Sequence, residues 1–204
     1  MIENSYYYFK NAIPSNVCNN IIDLGLKSKI KKSLTLKEAN YGIKDESRDS
    51  LNGELTNQWI YDLLYPYLHE ANKSAGWNFE VDWSETLQFT VYKEGGHYHW
   101  HRDAGIDSSY AYKEDRGENF KGKIRKISMT LLLNDPKNFE GGDLEFDYGR
   151  NDLGKTEGTI EICKEARSQG TMIFFPSFIN HRVTPVKKGT RYSLVMWTIG
   201  QPFK

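Results

Sequence analysis

After Gly76 the sequence consists mainly of short apolar or alternating segments separated by turn-forming residues. The segments are 86–92 (TLQFTVY), 127–133 (ISMTLLL), 143–148 (DLEFDY), 171–175 (TMIFF), 181–186 (HRVTPV) and 190–199 (TRYSLVMWTI). Runs of this length, rich in β-branched and aromatic residues and bounded by turn residues, are typical of strands. Because no helical pattern lies between them, they predict an antiparallel sandwich or barrel and argue against a βαβ fold.

The first 76 residues predict two helices. The first is expected to begin at Ser15, a suitable N-cap, because apolar residues then recur at a loosely helical spacing. The second is expected over residues 54–73, with Pro66 breaking or kinking it. We find no repeat and no clean linker. The sequence therefore predicts one domain over 1–204, in which a helical N-terminal region (1–76) supports a β core (77–204).

Two polar segments, residues 33–53 and 104–126, predict long loops. Loops of this length are uncommon in compact domains and often cover a functional site, so both are candidates to close over a substrate.

Composition excludes several other classes of protein. Apolar residues make up 38% of the chain and aromatic residues 14%, which favours a folded, sheet-rich protein over a disordered one. The 27 basic and 27 acidic residues balance, so charge indicates neither a nucleic-acid partner nor a membrane surface. Cys18 and Cys163 form no CxxC motif. The N-terminus lacks a signal-peptide pattern, and no apolar run approaches the ~20 residues of a membrane span. These features predict a cytoplasmic protein.

The stretch GGHYHWHRDAG (95–105) contains three of the five histidines of the chain. Every second side chain of an extended strand lies on the same face. A regular strand would therefore place two sets of side chains on opposite faces. One set is His97, His99, His101 and Asp103, and the other is Tyr98, Trp100 and Arg102.

A metal site is one explanation of this stretch. Two histidines and one carboxylate form the facial triad of non-haem Fe(II) oxygenases, although Zn(II) or Mn(II) could occupy the same ligands. His101 is the candidate first ligand because it lies two residues before Asp103, and His181 on a distant strand is the candidate third. His97 and His99 are then expected to be neighbouring polar groups. The HxD motif is short, so unliganded strand histidines remain the alternative.

Arg191 adds a second feature. It follows His181 by ten residues, and residues 185–189 read as a turn, which predicts that the two lie on adjacent antiparallel strands. A guanidinium near the metal can bind one carboxylate of a dicarboxylate whose α-keto acid end chelates iron. Without the triad, Arg191 would be interpreted as an ordinary surface arginine.

Three stretches carry a resemblance to a known family: Tyr92 with the glycines before HYHWHRD, then KISMTLLLNDPKNFEGGDLEF, then GTMIFFPSFINHRVTPVKKGTRYSLVMW. Over residues 84–199, and weakly at 58–64, the chain resembles the Fe(II)- and 2-oxoglutarate-dependent dioxygenases. The resemblance is to their prolyl 4-hydroxylase-like group, as found in bacteria and phages. It implies a mainly β protein with N-terminal helices, whose core is a double-stranded β-helix (jelly roll) with iron between its sheets.

The resemblance also implies roles for individual residues. His101, Asp103 and His181 match the iron ligands, and Arg191 matches the anchor of the distal carboxylate of 2-oxoglutarate. Tyr92 matches a tyrosine of the same pocket.

Further residues match the family's pocket less specifically. Ser193 would add a hydrogen bond to the same carboxylate. Trp197 matches a tryptophan near the iron, and Trp100 and Tyr98 are further candidate walls of the substrate pocket. Where some members have a tyrosine, this chain has Leu132, so the cosubstrate contacts do not all transfer.

The activity implied is the hydroxylation of a C–H bond, coupled to decarboxylation of 2-oxoglutarate to succinate. The cofactors implied are Fe(II), 2-oxoglutarate and dioxygen, with ascorbate as a reductant. The resemblance implies a prolyl residue of a peptide or protein as substrate. A free amino acid, a small metabolite or a nucleobase is an alternative.

Two other functions compete with this hypothesis. Residues 149–156 (GRNDLGKT) match a phosphate-binding loop, but the preceding DLEFDY alternates like an antiparallel strand and EGTIEIC does not begin a helix. We therefore expect a polar turn there. A jelly-roll metal-binding or hydrolytic protein without oxygenase activity is the remaining alternative, and it would leave Arg191 and Tyr92 without a role.

Overall fold

The structure is a computed structural model that describes residues 4–33, 46–113, 116–148 and 160–203. Two helices, α1 (Ser15–Lys27) and α2 (Gln58–Ser74), precede most of the sheet. The strands are β1 (Tyr7–Phe9), β2 (Lys31–Lys32), β3 (Arg48–Asp49), β4 (Leu51–Leu55), β5 (Trp83–Ser84), β6 (Leu87–Tyr92), β7 (His97–His101), β8 (Ile124–Leu132), β9 (Phe139–Gly141), β10 (Leu144–Asp147), β11 (Ile160–Ile162), β12 (Met172–Pro176), β13 (Asn180–Val183), β14 (Val186–Gly189) and β15 (Arg191–Gly200).

The strands form two main sheets with antiparallel pairing throughout. The larger sheet has the order β1-β12-β8-β15-β6-β4-β2, with β5 also paired to β15, and the smaller sheet has the order β11-β10-β13-β7-β3. A separate pair joins β14 to β9. This mainly β, jelly-roll-like architecture with N-terminal helices confirms the predicted fold class.

The helices pack on one face of the larger sheet. Along β15 the side chains alternate, so that Leu194 and Met196 join the apolar core beneath the helices. Ser193, Val195 and Trp197 point the other way and line a cavity. The larger sheet therefore separates the main core from the cavity.

Contact between α1 and the sheet is close. A Cβ added to Gly25 of α1 would lie 2.3 Å from Cγ of Phe89 in β6, so only glycine fits there without movement. The helix begins at Ser15 with Pro14 in the cap position, and no side chain caps it. The prediction that Ser15 is the N-cap is therefore wrong, because the Pro14 carbonyl already accepts from the amides of Val17 and Cys18.

Helix α2 runs through Pro66, so of the predicted break or kink the break does not occur. Pro66 lies on the exposed side of the helix. The carbonyl of Asp62, which loses its usual amide partner, can be hydrogen-bonded by water there. The opposite face buries Ile60, Leu64 and Leu68. Neither this helix nor α1 in the described part is long and apolar enough to cross a membrane.

Residues 33–53 were predicted as one loop, and the described part of them contains strands. β3 joins the smaller sheet and β4 joins the larger one, with only Ser50 between them. In the other predicted loop, 104–126, the described residues include a short 3₁₀ helix (Ser108–Tyr110) before β8 begins at Ile124.

The predicted turn at 185–189 is instead mostly strand β14, which pairs with β9. His181 on β13 therefore lies in the smaller sheet and Arg191 on β15 in the larger one, so their predicted adjacency is wrong. Pro185 has no amide hydrogen with which to extend the β13 ladder, which is a physical reason for the chain to leave the smaller sheet here. The two residues face the same cavity from opposite sheets.

Residues 149–156 lie outside the described residues. The strand before them, β10, is antiparallel to both of its neighbours, and the next described residues form another strand, β11. The flanking elements are thus not the parallel strand and helix that a phosphate-binding loop requires.

Candidate metal centre

Three side chains converge between β7 and β13. His101 lies directly opposite His181 in the ladder, with ring centroids 4.2 Å apart. Asp103 follows β7, and its amide donates to the carbonyl of Ser177 (2.9 Å). Nε2 of His101 is 3.8 Å from Oδ1 of Asp103, and Nε2 of His181 is 3.6 Å from Oδ2. One nitrogen or oxygen from each residue lies within 4.8 Å of the others.

Main-chain carbonyls orient the two imidazoles. Nδ1 of His101 lies 2.7 Å from the carbonyl of His99, and Nδ1 of His181 lies 2.9 Å from the carbonyl of Ile179. Each Nδ1–H donates to its carbonyl, which leaves the Nε2 lone pair directed at the cluster. Burial, followed by the proximity of His181, lowers the pKa of His101 to about 3, so this imidazole is neutral at pH 7.

Asp103 is ionised despite its burial. Burial alone would raise the pKa of its carboxyl, but His181, His101, Arg125 and the hydrogen bond from Ser128 together lower it to about 2. The Ser128 hydroxyl donates to Oδ2 at 2.7 Å. Two imidazole nitrogens and one carboxylate oxygen are a donor set that suits Fe(II). The cluster therefore fits such an ion, and its three side chains line a cavity.

A β-bulge in β7 overturns the predicted face assignment. His101 pairs with His181 but Tyr98 pairs with Val183, so one strand has an extra residue between the two pairings. As a result Tyr98 lies on the same side as His101, with the rings stacked at 3.5 Å between centroids, and His99 is exposed. The expectation that the three histidines share one face with Asp103 is therefore wrong.

His97 and Trp100, the other predicted residues of this stretch, lie away from the cluster's ligand atoms. His97 contacts the carbonyls of Gly95 and Glu46 through its two ring nitrogens. Trp100 lies beneath the guanidinium of Arg182, 4.5 Å from Cζ to the ring centroid, and is not among the residues that line the cavity in the described part of the chain.

The cavity beside the cluster is lined by both sheets. Polar groups come from Arg48, Gln88, Tyr92, Tyr98, Thr130, Arg191 and Ser193, and apolar walls from Met129, Leu144, Phe175, Val183, Val195 and Trp197. A mainly apolar pocket with a few convergent polar groups is the usual form of a small-molecule site.

Arg191 is a buried cation of this cavity. The residue is only 3% exposed, and Nη1 donates to Oγ of Ser193 (3.1 Å). It lies opposite Tyr92 in the ladder between β15 and β6. Among the described residues no carboxylate lies within ion-pair distance of it. A buried charge is costly unless it is paired, so the site fits the carboxylate of a ligand.

Tyr92 and Leu132 adjoin this cation. Burial raises the pKa of Tyr92, so its phenol keeps its proton and can donate a hydrogen bond. Leu132 belongs to the same small apolar cluster as Tyr92 and supplies no hydrogen-bonding group.

A group of polar residues behind Asp103 was not predicted from the sequence. The Arg125 guanidinium stacks on the ring of Trp197 (Cζ 3.9 Å from the centroid), and its Nη2 donates to Oε2 of Glu85 (2.8 Å). Glu85 also accepts from the hydroxyl of Tyr112. Ser128 could have been found from the pattern of β8, where polar Ser128 and Thr130 alternate with apolar residues. No comparable signal pairs Arg125 with Glu85, forty positions away.

Comparison with known proteins identifies the family. The family model for the 2OG-Fe(II) oxygenase superfamily matches residues 87–199. The chain belongs to this superfamily. Members of this family use Fe(II), 2-oxoglutarate and dioxygen, and the matched residues include the whole of the cluster and Arg191.

Similar sequences include bacterial PKHD-type hydroxylases. One from Hyphomonas neptunium is 33% identical over 115 residues, which is 55% of this chain and 42% of that protein. One from Aliarcobacter butzleri is 33% identical over 109 residues, 53% of this chain and 41% of that protein. This family member therefore spans less than half the length of these curated relatives.

Solved structures share the fold over nearly the whole chain. A Pseudomonas putida prolyl-4-hydroxylase gives a TM-score of 0.66 at 15% identity, covering 95% of this chain and 92% of that one. A Trichoplax adhaerens prolyl hydroxylase, solved with a peptide fragment of hypoxia inducible factor, gives 0.67 at 13% identity, covering 96% and 83%. At these identities the likeness shows the fold of the oxygenase family, including its helical N-terminal part.

Proposed function

We propose that this protein is an Fe(II)- and 2-oxoglutarate-dependent dioxygenase that hydroxylates a prolyl residue in a peptide or protein. The observation that carries the proposal is that one cavity holds both the His101, Asp103 and His181 cluster and a buried arginine, Arg191, with no ion-pair partner among the described residues. A metal held by the cluster would bind the α-keto acid end of a ligand, and the guanidinium of Arg191 would bind a second carboxylate at the other end.

Each residue has a separate role in this proposal. His101, Asp103 and His181 would hold Fe(II), which when bound with 2-oxoglutarate supplies the oxidising chemistry that converts a C–H bond to C–OH. Arg191 would bind the distal carboxylate of the cosubstrate, with the hydroxyl of Ser193 holding the guanidinium in place.

The other cavity residues would orient the reactants and exclude water. Tyr92 would donate its phenolic proton to a cosubstrate oxygen. Tyr98 and Trp197 would form walls of the substrate pocket, and the indole N–H of Trp197 is buried without a hydrogen-bond partner among the described residues. Such a donor is available to a ligand.

The substrate class rests on the comparisons. The similar sequences are named PKHD-type hydroxylases, and the similar structures include prolyl hydroxylases, one of them bound to a peptide fragment. A requirement for ascorbate as reductant and a cytoplasmic location stay predictions. Omitting ascorbate from a multiple-turnover assay tests the first.

An anaerobic titration tests the proposal. Fe(II) is added to the metal-free protein, then 2-oxoglutarate, while the visible charge-transfer absorption of a keto acid chelated to ferrous iron is recorded. We expect the absorption band with the wild-type protein and with His99→Ala, the matched control, because His99 is exposed in the same strand. His101→Ala should lose it.

Two results would contradict the proposal. Folded wild-type protein that binds the metal without the band would favour a metal-binding or hydrolytic protein, which leaves the buried cation at Arg191 unexplained. Equal bands in His101→Ala and wild type would place the metal elsewhere.

A further inference from the structure

Arg48 is a second arginine of the cavity. It lies on β3, at the edge of the smaller sheet, opposite Tyr98 of β7 in the ladder. Its Cζ lies 4.5 Å from the centroid of the Tyr98 ring, and its Nε donates to Oγ of Ser50 (2.9 Å). Ser50 is buried and hydrogen-bonded to Ser33 (2.8 Å). The guanidinium is thus held on one side by a ring and at Nε by a fixed hydroxyl, which leaves its two terminal nitrogens for other partners.

This guanidinium lies close to the candidate metal cluster. The Tyr98 ring on which it stacks is itself stacked on His101, with 3.5 Å between ring centroids. A single aromatic ring therefore separates Arg48 from the cluster. Arg48 also lines the same cavity as Trp197 and Gln88.

No carboxylate of the described residues pairs with Arg48. The acidic groups near the cavity already have partners. Asp103 contacts the two imidazoles and Ser128, Glu85 pairs with Arg125, and Glu145 accepts from Nε of Arg182 (2.7 Å). Among the described residues, the one side-chain hydrogen bond of Arg48 is made by Nε, and none engages its terminal nitrogens. A guanidinium suits the planar oxygens of a carbonyl or carboxylate.

Depth distinguishes the two arginines of the cavity, neither of which pairs with a carboxylate of the described residues. Arg191 is 3% exposed, whereas Arg48 is half-buried on an edge strand. A cosubstrate bound by Arg191 would occupy the deep part of the cavity. Arg48, at the edge of the cavity, then faces a molecule that enters after the cosubstrate.

We infer that Arg48 is the residue that recognises the substrate. Its terminal N–H groups donate to a carbonyl or carboxylate oxygen of the residue that is hydroxylated. Two sources supply this chemistry: the main-chain carbonyl of an internal residue, and the free carboxylate of a C-terminal residue or amino acid. The inference rests on the proposed function, and it makes Arg48 a determinant of substrate specificity that is separate from the cosubstrate site.

The test compares Arg48→Gln with the wild-type protein. Glutamine can still reach Ser50 and cover Tyr98, but it lacks the charge. Arg116→Gln is the matched control, because Arg116 also stacks on a tyrosine (Cζ 5.1 Å from the Tyr112 ring) but is exposed and does not line the cavity. The probes are the pentapeptide Gly-Ala-Pro-Ala-Gly, in which the prolyl carbonyl is internal, the dipeptide Ala-Pro as free acid and as amide, and free proline.

Two readouts are taken with each protein. Probe binding is titrated calorimetrically under anaerobic conditions with Fe(II) and 2-oxoglutarate present, and the keto-acid absorption band is titrated separately with 2-oxoglutarate. Arg48→Gln should weaken the binding of the preferred probe by roughly 10- to 100-fold and leave the 2-oxoglutarate titration unchanged. If amidation of the probe abolishes the difference between the two proteins, the partner of Arg48 is a carboxylate. If amidation leaves the difference intact, the partner is a main-chain carbonyl.

Several outcomes overturn the inference. Equal probe binding by Arg48→Gln and wild type shows that Arg48 does not contact the substrate. A shift in the 2-oxoglutarate titration assigns Arg48 to the cosubstrate instead. Wild-type protein that shows the band but binds none of the probes excludes a prolyl acceptor and the inference with it. Loss of the band in wild-type protein, by contrast, is a failure of the proposed oxygenase function itself.

Discussion

Nη1 of Arg125 lies 3.9 Å from Oδ1 of Asp103, while the same guanidinium pairs with the carboxylate of Glu85. The Glu85 residue is 7% exposed, so two acidic groups share one cation in a region with little water. This arrangement couples the orientation of a candidate metal ligand to an ion pair that contributes to folding. The two contributions can be separated by mutation.

Arg125→Met should lower the free energy of unfolding by about 3 kcal/mol, because it leaves the Glu85 carboxylate buried without its cation. The double variant Glu85→Leu with Arg125→Met should recover most of this loss, since apolar residues of similar size often replace a buried ion pair at little cost. Urea unfolding of the metal-free proteins measures both values. The double variant should still bind Fe(II) more weakly than wild type, and full recovery of metal affinity would show that Arg125 does not act on Asp103.

The metal-free protein should lose stability as the pH falls below about 6.5. Burial lowers the pKa of folded His101 from 6.5 to about 3, so between these values the unfolded chain binds a proton that the folded protein does not. Stability therefore rises with pH across this window, by about 1–2 kcal/mol between pH 5 and 6.5. Urea unfolding at several pH values, with chelator present, measures the slope.

Asp103 contributes in the same direction at lower pH. The pKa of its carboxyl in the folded protein is about 2, against 3.8, so its contribution is complete above pH 4 and lost as the pH falls towards 2. His101→Gln should flatten the slope above pH 4, and His69→Gln, at an exposed position of α2, should not. Equal slopes in wild type and His101→Gln would contradict a buried neutral imidazole.

Gly25→Ala should destabilise the protein by about 1–3 kcal/mol, because the new methyl group would meet the ring of Phe89. In the Gly25→Ala protein, Phe89→Leu should lower the free energy of unfolding by less than it does in wild type. Thermal unfolding of the four proteins gives the coupling energy directly. Simple additivity would mean that α1 can shift away from β6 without loss.

Arg191→Lys and Arg191→Gln should separate charge from geometry at the proposed cosubstrate anchor. Lysine keeps the charge but loses the planar fork, so the 2-oxoglutarate requirement should rise by roughly 10-fold, and with glutamine by roughly 100-fold. Fe(II) binding should be unchanged in both, because Arg191 lies on the sheet opposite the cluster. Initial rates against 2-oxoglutarate, with metal binding by calorimetry, are the measurements. An unchanged requirement in both variants would remove Arg191 from the cosubstrate site.

The strand segments after Gly76 were predictable because alternation and turn residues are local signals, and the structure has a strand in each of the six. The spacing of His101 and Asp103, with His181 far along the chain, was also enough to suggest that they meet. The face assignment of His99 failed because a bulge has no reliable local signature, and it shifts every side chain beyond it.

Other features of the site depend on tertiary pairing. The adjacency of His181 and Arg191 was wrong because a short segment with a proline and a glycine can cross between sheets as readily as it can turn. Arg48 lies far from the histidine motif in sequence, and Glu85 lies forty positions from Arg125. Only the sheet order and the packing around Arg125 bring these residues near the metal cluster.

Ser50 is the single residue that carries the chain from β3 in the smaller sheet to β4 in the larger one. One residue spans at most about 3.6 Å, so the two sheets cannot move apart at this edge unless one of these strands leaves its ladder. The covalent chain therefore links the two sheets tightly along this side of the cavity. Arg48 lies next to this link, so the chain itself fixes its position relative to both walls of the cavity.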